Sequence, residues 1–412
     1  MMAVILALLP TSWSHADDDM SPVARAEKGA AKGEEWSGEG AVDVGIDVES
    51  NALDPTSARV RLGPTTGLVF ESDHSRLAFH VHSWLRAQSD TRVGDETDAE
   101  ASIPVARFIL EGSLLDEKLH LFVQPELAGT RDDELLDLFV EWHFDERLRI
   151  RAGQFRTPFS RAFITPLASQ QLTERGFVVD QFNIGRDTGA MASGELASGL
   201  LHYDLGIFNG AGINDLSGDR DAPLVVARTE LRLGDVVPYD QVPSLVLDDP
   251  HGVTIAVGGA FGRQGIEIQN PGLAPSTTTE TLWNATTDIA WTHGPLSVHA
   301  EAFWRRAQGS PRPANAFGVT AQAGLFVVPR RLELGGRGGW ISSGGLSKEG
   351  ASNVGPDVYS AELFLASYWQ YGETLLGHHL KTVLDYRYES GDPSSRNLQD
   401  RHRVMLQTQI FF

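Results

Sequence analysis

Residues 401–412 alternate between two kinds of side chain. One face of this segment carries His402, Val404, Leu406, Thr408, Ile410 and Phe412, and the other carries Arg401, Arg403, Met405, Gln407 and Gln409. Alternation with a period of two over about ten residues is typical of a β-strand with one apolar and one polar face. A transmembrane barrel places such a strand between lipid and a water-filled lumen. The alternative interpretation is the last strand of a soluble sandwich.

The aromatic residue Phe412 resembles the signal by which the barrel-assembly machinery of the Gram-negative outer membrane recognises its clients. The sequence therefore predicts an outer-membrane location, with Phe412 as assembly signal and with outer-membrane lipid and the assembly machinery as partners.

Composition agrees with a barrel. The chain has 412 residues, of which 41% are hydrophobic, and no apolar run reaches the roughly 18 residues that a spanning helix needs. In a barrel the lipid-facing residues alternate with lumen residues, so mean hydropathy stays low, here at -0.18. The formal net charge of -21 argues against a nucleic-acid partner. The sequence contains no cysteine, so a closed ladder of strands must supply the stability that disulfides give other exported proteins.

The N-terminal residues have the features of an export signal. Residues 3–9 form a short apolar core, and Ser14, His15 and Ala16 resemble a cleavage site. The alternative is a short buried apolar segment. We predict a signal peptide at residues 1–16, a periplasmic lead-in at 17–65 that is rich in small and charged residues, and a transmembrane barrel at 66–412.

Alternating segments recur about sixteen times beyond residue 66, which is an even number, as bacterial barrels require. They are predicted near 76–88, 103–114, 118–128, 135–144, 147–156, 187–196, 199–209, 223–234, 252–262, 282–293, 296–307, 316–327, 331–342, 357–370, 377–389 and 401–412. Tight turns alternate with longer loops near 89–102, 157–186, 210–222, 263–281, 343–356 and 390–400. The predicted fold is all-β: a transmembrane antiparallel barrel of about sixteen strands, with one long loop folded inward. The connection at 235–251 is long although it lies on the side of the short turns.

The alternation also predicts what lines the lumen. Arg147, Arg149 and Arg151 share the inward face of one strand, and the preceding strand turns Asp137, Glu141 and His143 inward. The same strand is predicted to face lipid with Leu136, Leu138, Val140, Trp142 and Phe144. Arginines at a constriction act as an electrostatic filter for anions. The alternative is that they pair with lumen carboxylates and only stabilise the wall.

The loop near 157–186 is predicted to narrow the pore. A loop of about thirty residues in a compact fold is usually functional. Arg156, Arg161, Arg175 and Arg186 lie in or beside it, and its acidic residues are Glu174, Asp180 and Asp187. Such arginines would favour anions. The alternative is an outward loop that takes no part in permeation.

Several motifs in this region resemble one family, the phosphate-selective porins O and P. These motifs are residues 148–160, which end in Gly153-Gln154-Phe155-Arg156-Thr157-Pro158-Phe159-Ser160, the box Gly185-Arg186-Asp187-Thr188-Gly189, and Gly206-Ile207-Phe208-Asn209-Gly210. Residues 67–72 and 76–79 resemble the first hairpin of the family. The resemblance implies a sixteen-stranded barrel, usually a homotrimer, that passes small anions through a loop-narrowed pore. The chain differs from the best-known members in its acidity and in its small number of lysines.

The predicted function is passive diffusion of small solutes, with small anions as the expected class and phosphate as one candidate. The selectivity candidates are Arg147, Arg149, Arg151, Arg156, Arg161, Arg175 and Arg186. An adhesive or structural barrel with a blocked lumen is the alternative, and a barrel hydrolase is a further one. No Gly-x-Ser-x-Gly elbow and no His-Glu-x-x-His pattern is found, so no catalytic residue, metal site or cofactor is predicted. His378 and His379 are expected on opposite faces of one strand.

Overall fold

The computed structural model describes residues 59–63, 65–94, 96–128, 135–215, 222–268, 276–308, 314–342, 357–371, 374–390 and 400–412. The predicted signal peptide, 1–16, and the predicted lead-in as far as residue 58 lie outside these ranges. No helix in the described part of the chain is long and apolar enough to cross a membrane.

Strands dominate the described residues. They are β1 (Arg59–Gly63), β2 (Gly67–Ser72), β3 (Ser75–Arg92), β4 (Thr97–Leu114), β5 (Leu119–Pro125), β6 (Leu135–Asp145), β7 (Leu148–Arg156), β8 (Arg186–Leu196), β9 (Leu201–Phe208), β10 (Leu224–Gly234), β11 (His251–Ile268), β12 (Ser276–His293), β13 (Leu296–Gln308), β14 (Ala314–Val328), β15 (Leu332–Ile341), β16 (Val358–Tyr368), β17 (Gln370–Tyr371), β18 (Thr374–Leu375), β19 (Leu380–Ser390) and β20 (Arg401–Phe411). Two short helices, α1 (Arg161–Ile164) and α2 (Phe177–Phe182), lie between β7 and β8. Short 3-10 turns occur at Leu167–Ser169, Pro243–Leu245 and Gly377–His379.

Within the described residues, sixteen strands close into a barrel. Each strand from β3 to β16 pairs antiparallel with the next, β16 pairs with β19, and β19 pairs with β20. The last strand then pairs with the first, with Phe411 opposite His82 and Arg401 opposite Arg92. Closure pairs each of these sixteen strands on both sides, so the barrel itself has no free edge. The predicted sixteen-stranded antiparallel barrel is confirmed.

The N-terminal hairpin extends the seam of the barrel. β2 pairs with Ser75–Phe79 of β3, next to the place where the chain ends. The N–H of Phe412 donates to the carbonyl of Val81 at 3.0 Å, and the N–H of Val81 donates back at 2.6 Å. Gly67 begins β2 with a φ of 67°, and a Cβ there would lie 2.4 Å from a backbone oxygen, so only glycine fits this junction. β1 lies within the predicted lead-in and pairs with β2, so that part of the lead-in belongs to the sheet.

Two of the predicted long loops are wrong. β3 continues to Arg92 and β4 resumes at Thr97, so the connection predicted at 89–102 is only four residues long. β11 likewise reaches Ile268 and pairs there with Ser276 of β12, which shortens the loop predicted at 263–281. These strand ends carry few apolar residues, so they lack the lipid-facing alternation on which the sequence prediction depends. Backbone pairing continues without it.

The two faces of the wall differ as predicted. In β6, Val140 and Phe144 are exposed on the outer face, Phe144 to 62%, whereas Asp137 and Glu141 are buried on the inner face. This is the arrangement of a barrel in lipid. Leu136 is an exception to the predicted outer face, because it is only 2% exposed; the pairing register of β6 with β5 shifts beside it.

Candidate functional site

Two segments that join barrel strands lie inside the lumen. The first is the inner loop, residues 157–185, which connects β7 to β8 and contains α1 and α2. It bonds to side chains on the inner faces of strands around the barrel, among them Arg86 of β3, Asp288 of β12 and Glu333 of β15. The second is the β10–β11 segment, residues 235–250, which enters from the end of the barrel that carries the short turns.

Helix α1 is anchored to the wall through its N-cap, Ser160, and its first residue, Arg161. The hydroxyl of Ser160 caps the helix by accepting a hydrogen bond from the N–H of Phe163, and it donates to Glu301 of β13 at 3.0 Å. Arg161 donates to Asp288 at 2.7 Å and to Glu230 at 2.5 Å. Burial alone would lower the pKa of Arg161, but these two carboxylates outweigh it and raise the pKa above its ordinary value. Arg161 is therefore firmly charged and paired.

A second anchor lies in the middle of the inner loop. The carboxylate of Glu174 accepts from Arg86 of β3 at 2.6 Å and from Arg387 of β19 at 2.7 Å, and lies 3.4 Å from Arg403 of β20. Burial opposes ionisation of Glu174, but Arg387, Arg403 and Arg86 outweigh it and hold the pKa of its carboxyl well below the usual range. One negative side chain thus joins three strands to the loop.

Helix α2 packs on the wall by apolar contact. The ring of Phe182 stacks on that of Phe303 of β13, with ring centroids 5.4 Å apart. A Cβ at Gly318 of β14 would lie 2.5 Å from the Phe182 ring, so the glycine provides the space in which the helix lies. Phe177, Val178 and Ile341 complete a buried cluster. Helix α2 is therefore packed directly against β13, β14 and β15.

The β10–β11 segment meets the inner loop at mid-lumen. The N–H of Gln241 donates to the carbonyl of Ser169 at 3.1 Å, and its side-chain oxygen accepts from the N–H of Gln171 at 3.0 Å. Asp240 pairs with His378 at 2.9 Å, which ties the segment to the turn before β19. The unusual length of this connection was its only signal in the sequence. His378 and His379 lie in the 3-10 turn Gly377–His379, and not on one strand as expected.

Two neighbouring cavities lie along one side of the barrel. A cavity of about 170 Å³ is enclosed by strands β3 to β7 and the end of β20 on one side, and by residues 164–169 and 237–246 on the other. Arg107, Arg151, Arg156 and Asp137 line it. A smaller cavity of about 50 Å³ shares Glu111, Phe122 and Phe139 with it and continues toward the short turns. Polar and charged side chains therefore follow a path down the β3–β7 wall.

The family described as phosphate-selective porin O and P matches residues 81–338. The chain belongs to this family. It is an outer-membrane porin of a Gram-negative bacterium, which forms a channel for small solutes. The family and the fold indicate a channel rather than an enzyme.

Solved porin structures share the fold at low sequence identity. An anion-selective porin from Comamonas acidovorans is 10% identical, with a TM-score of 0.54 over 82% of this chain and 100% of that one. The trimer form of OmpT from Vibrio cholerae gives the same four values. OprB of Pseudomonas putida is 12% identical, with a TM-score of 0.52 over 82% of this chain and 94% of that one. None of the curated proteins matches the chain.

The predicted arginine ladder of this porin is shorter than expected. Arg147 lies in the turn between β6 and β7 and is exposed, so it does not share the lumen face with its neighbours. Arg149 is buried and lines the smaller cavity. Arg151 donates to Glu141 at 2.8 Å, and its guanidinium carbon lies 4.2 Å from the centroid of the Phe139 ring. Its charge is thus compensated by a neighbour in the wall.

The arginines of the loop region differ in what they bind. Arg186 makes two hydrogen bonds to Asp137, at 3.0 and 2.8 Å. Arg175 donates to the carbonyls of residues 162 and 165, at 3.1 Å each. Arg156 donates from Nη1 to the carbonyls of residues 164 and 165, at 2.6 and 3.3 Å. In the part of the chain that the structure describes, Arg156 makes no ion pair, and its Nε has no hydrogen-bond partner.

Arg107, which is not among the arginines predicted from the sequence, lines the cavity and is paired with Glu126 at 2.7 Å. Its position on the inner face of β4 was the available signal. Phe412 lies on the outer face at the seam. Among the described residues, no group of three or more His, Asp and Glu side chains is placed to hold a metal ion.

Proposed function

We propose that this porin prefers small anions and that Arg156 sets the preference. The observation that carries the proposal is the setting of Arg156, which lines the cavity and is held by two carbonyl oxygens instead of a carboxylate. A carbonyl has no net charge, so it orients the guanidinium and leaves its positive charge uncancelled. Charged side chains that line a pore influence which ions pass.

The other candidate arginines contribute less in this proposal. Arg151, Arg161 and Arg186 each face a carboxylate at 3.0 Å or less, so each pair is close to neutral as seen by a passing ion. The net charge of -21 does not oppose the proposal, because exposed acids act over only about 8–10 Å at physiological salt. Phosphate falls within the expected class of solute. One carbonyl-bound arginine on the wall of the cavity supports a weak preference for anions in general.

The test is the reversal potential of single channels in a gradient of potassium chloride. We expect the native porin to favour chloride and Arg156→Gln to shift the reversal potential toward that of a cation-preferring pore. Arg305→Gln is the matched control, because Arg305 also donates to two carbonyls of the inner loop but does not line the cavity. Cation preference in the native porin, or equal shifts in both variants, would overturn the proposal.

We also propose that the porin is a homotrimer whose apolar outer face meets lipid and whose Phe412 is read by the barrel-assembly machinery. OmpT of Vibrio cholerae, which shares the fold, has a trimer form. Electrophoresis without heating should give a band of three times the monomer mass that collapses on boiling; a monomer band in both lanes would exclude a stable trimer.

A second candidate is a barrel whose lumen is closed. It is favoured by the contact between the two inward segments, where the N–H of Gln241 reaches the carbonyl of Ser169. Stepwise ionic current from the purified protein in a planar bilayer would exclude this candidate, whereas its complete absence would support it and exclude a constitutively open pore.

A further inference from the structure

The cavity that contains Arg156 has an apolar wall of aromatic rings. Phe122 and Phe139 are stacked, with ring centroids 5.2 Å apart and an angle of 12° between the planes. Phe155 meets Phe139 edge-on at 5.8 Å. All three line the cavity, together with Ile109 of β4. An inorganic anion gains nothing from such a surface, since its binding depends on charge and hydrogen bonds alone.

The opposite side of the cavity is also largely apolar. It is formed by the inner loop through residues 164–168, among them Leu167, and by the β10–β11 segment through Val237 and Pro238. The volume of about 170 Å³ exceeds the roughly 150 Å³ that holds a benzene molecule in another protein. A single aromatic ring would therefore fit between the two sides.

The guanidinium groups of Arg151 and Arg156 lie at the edge of this apolar space. The guanidinium of Arg151 lies 4.2 Å from the centroid of Phe139 and 5.3 Å from that of Phe155. Arg156 makes hydrogen bonds through Nη1, and its other nitrogens make none within the described ranges. The carboxylate of Asp137, which also lines the cavity, is occupied by Arg186. Asp240, which also lines the cavity, pairs with His378 at 2.9 Å, and Glu111 belongs to the part of the wall shared with the smaller cavity. A negative group on a solute therefore has a donor available at Arg156.

We infer that this cavity is a subsite for organic anions that carry a carboxylate on an apolar, ring-sized body. The carboxylate would bind at Arg156, and the body would pack against Phe139 and Phe155, where it displaces water from apolar surface. This inference rests on the proposed anion preference and names the solute class within it.

Benzoate, acetate and inorganic phosphate distinguish the possibilities in the planar bilayer. Each is added to the same chloride solution, and the concentration that halves the chloride current is measured. We expect benzoate to act at roughly three- to fivefold lower concentration than acetate, because only benzoate has a ring to place in the apolar wall. Phosphate should resemble acetate.

A matched pair of variants locates the effect. Phe139→Leu removes a ring from the cavity, and Phe144→Leu makes the same change on the same strand at the outer face. We expect the benzoate advantage to disappear in the first variant and to persist in the second, while Arg156→Gln weakens benzoate and acetate alike. If Phe139→Leu yields no folded channel, Phe155→Leu replaces it.

The outcomes separate this inference from the proposed function. If the native reversal potential favours chloride but benzoate and acetate act at equal concentrations, the subsite is refuted and the anion preference stands. A benzoate advantage that survives both Phe139→Leu and Phe155→Leu also refutes the subsite. Cation preference in the native porin refutes the proposed function and the inference together.

Discussion

Replacement of Glu174 with Gln tests how firmly the inner loop is held to the wall. Its carboxylate accepts hydrogen bonds from Arg86 at 2.6 Å and Arg387 at 2.7 Å. A hydrogen bond to a charged group contributes about 1.5–3 kcal/mol, and a neutral one about 0.5–1.5 kcal/mol. Gln retains an acceptor oxygen without the charge. We call the inner loop docked when it lies against the wall as in the structure. We expect the variant to lower the free energy that stabilises this docked state by about 1 kcal/mol at each contact, or about 2 kcal/mol in total.

The pH of the assay follows from the sign of the pKa shift. Burial disfavours the Glu174 carboxylate, but the neighbouring arginines prevail and depress its pKa below the ordinary value of 4.5. A carboxyl whose pKa is lower in the docked state stabilises that state fully when the pH is above the ordinary pKa. The contribution is lost only as the pH falls through the depressed pKa. At pH 7 the native carboxylate is ionised, so the comparison with Gln measures its full contribution.

A single thiol can report the opening of the loop. The sequence has no cysteine, and Ser169 is fully buried with a hydroxyl that has no hydrogen-bond partner in the described chain. Ser169→Cys is therefore nearly isosteric. A buried thiol reacts with a water-soluble maleimide only when its segment opens, so the labelling rate follows the opening equilibrium. A loss of about 2 kcal/mol corresponds to labelling about 30-fold faster in the Glu174→Gln background.

The matched control is Glu117→Gln, which removes the same charge from the exposed turn between β4 and β5. Its labelling rate should equal that of Ser169→Cys alone. If Glu174→Gln changes the rate by less than about threefold, the three arginines do not hold the loop, and the docking free energy must come from the apolar contacts of α2.

Two further predictions concern the wall. Ile150→Arg places a charge on the outer face, at a cost of about 2–4 kcal/mol near the membrane centre, so we expect a reduced folded yield in outer-membrane fractions. The control Arg149→Ala should assemble normally, and equal yields of the two variants would contradict the assignment of faces. Deletion of Phe412 removes both of its hydrogen bonds to Val81 at the seam, so the amount of folded, heat-modifiable protein on a gel should decrease while synthesis is unchanged. An undiminished band of folded protein would show that Phe412 is dispensable.

The barrel was predictable because strand alternation is a local property. Along β7, apolar residues that face lipid alternate with polar residues that face the lumen, as Ile150 and Arg149 do. This pattern is visible in the sequence without knowledge of any distant contact. The prediction failed where lipid no longer imposes the pattern. Beyond the membrane, β3 and β4 pair through polar residues such as Thr91 and Thr97, whose hydroxyls lie 2.9 Å apart. Period-two hydrophobicity does not mark such strands.

The β10–β11 segment shows the limit of reading connections by length. Its residues are ordinary for a loop, and what directs them into the lumen is a set of partners that lie far away in the chain. Gln241 contacts the inner loop some 70 residues earlier, and Asp240 contacts His378, 138 residues later. Such contacts exist only after the barrel has closed, so neither composition nor turn chemistry could indicate them.

The same reasoning explains why the sequence could not rank the candidate arginines. All seven side chains have the same chemistry. The contribution of each to ion selectivity depends on whether the closed barrel places a carboxylate or a carbonyl beside its guanidinium group. Arg161 finds Glu230, 69 residues away, and its charge is compensated. Arg156 is the last residue of β7, so its side chain meets the end of helix α1 just beyond it, where the last carbonyls of a helix lack intrahelical donors. These oxygens accept hydrogen bonds and bring no full negative charge. A positive field can therefore persist at the cavity although Arg151, Arg161 and Arg186 are paired with carboxylates. A strongly acidic porin can thus favour anions without a continuous ladder of arginines.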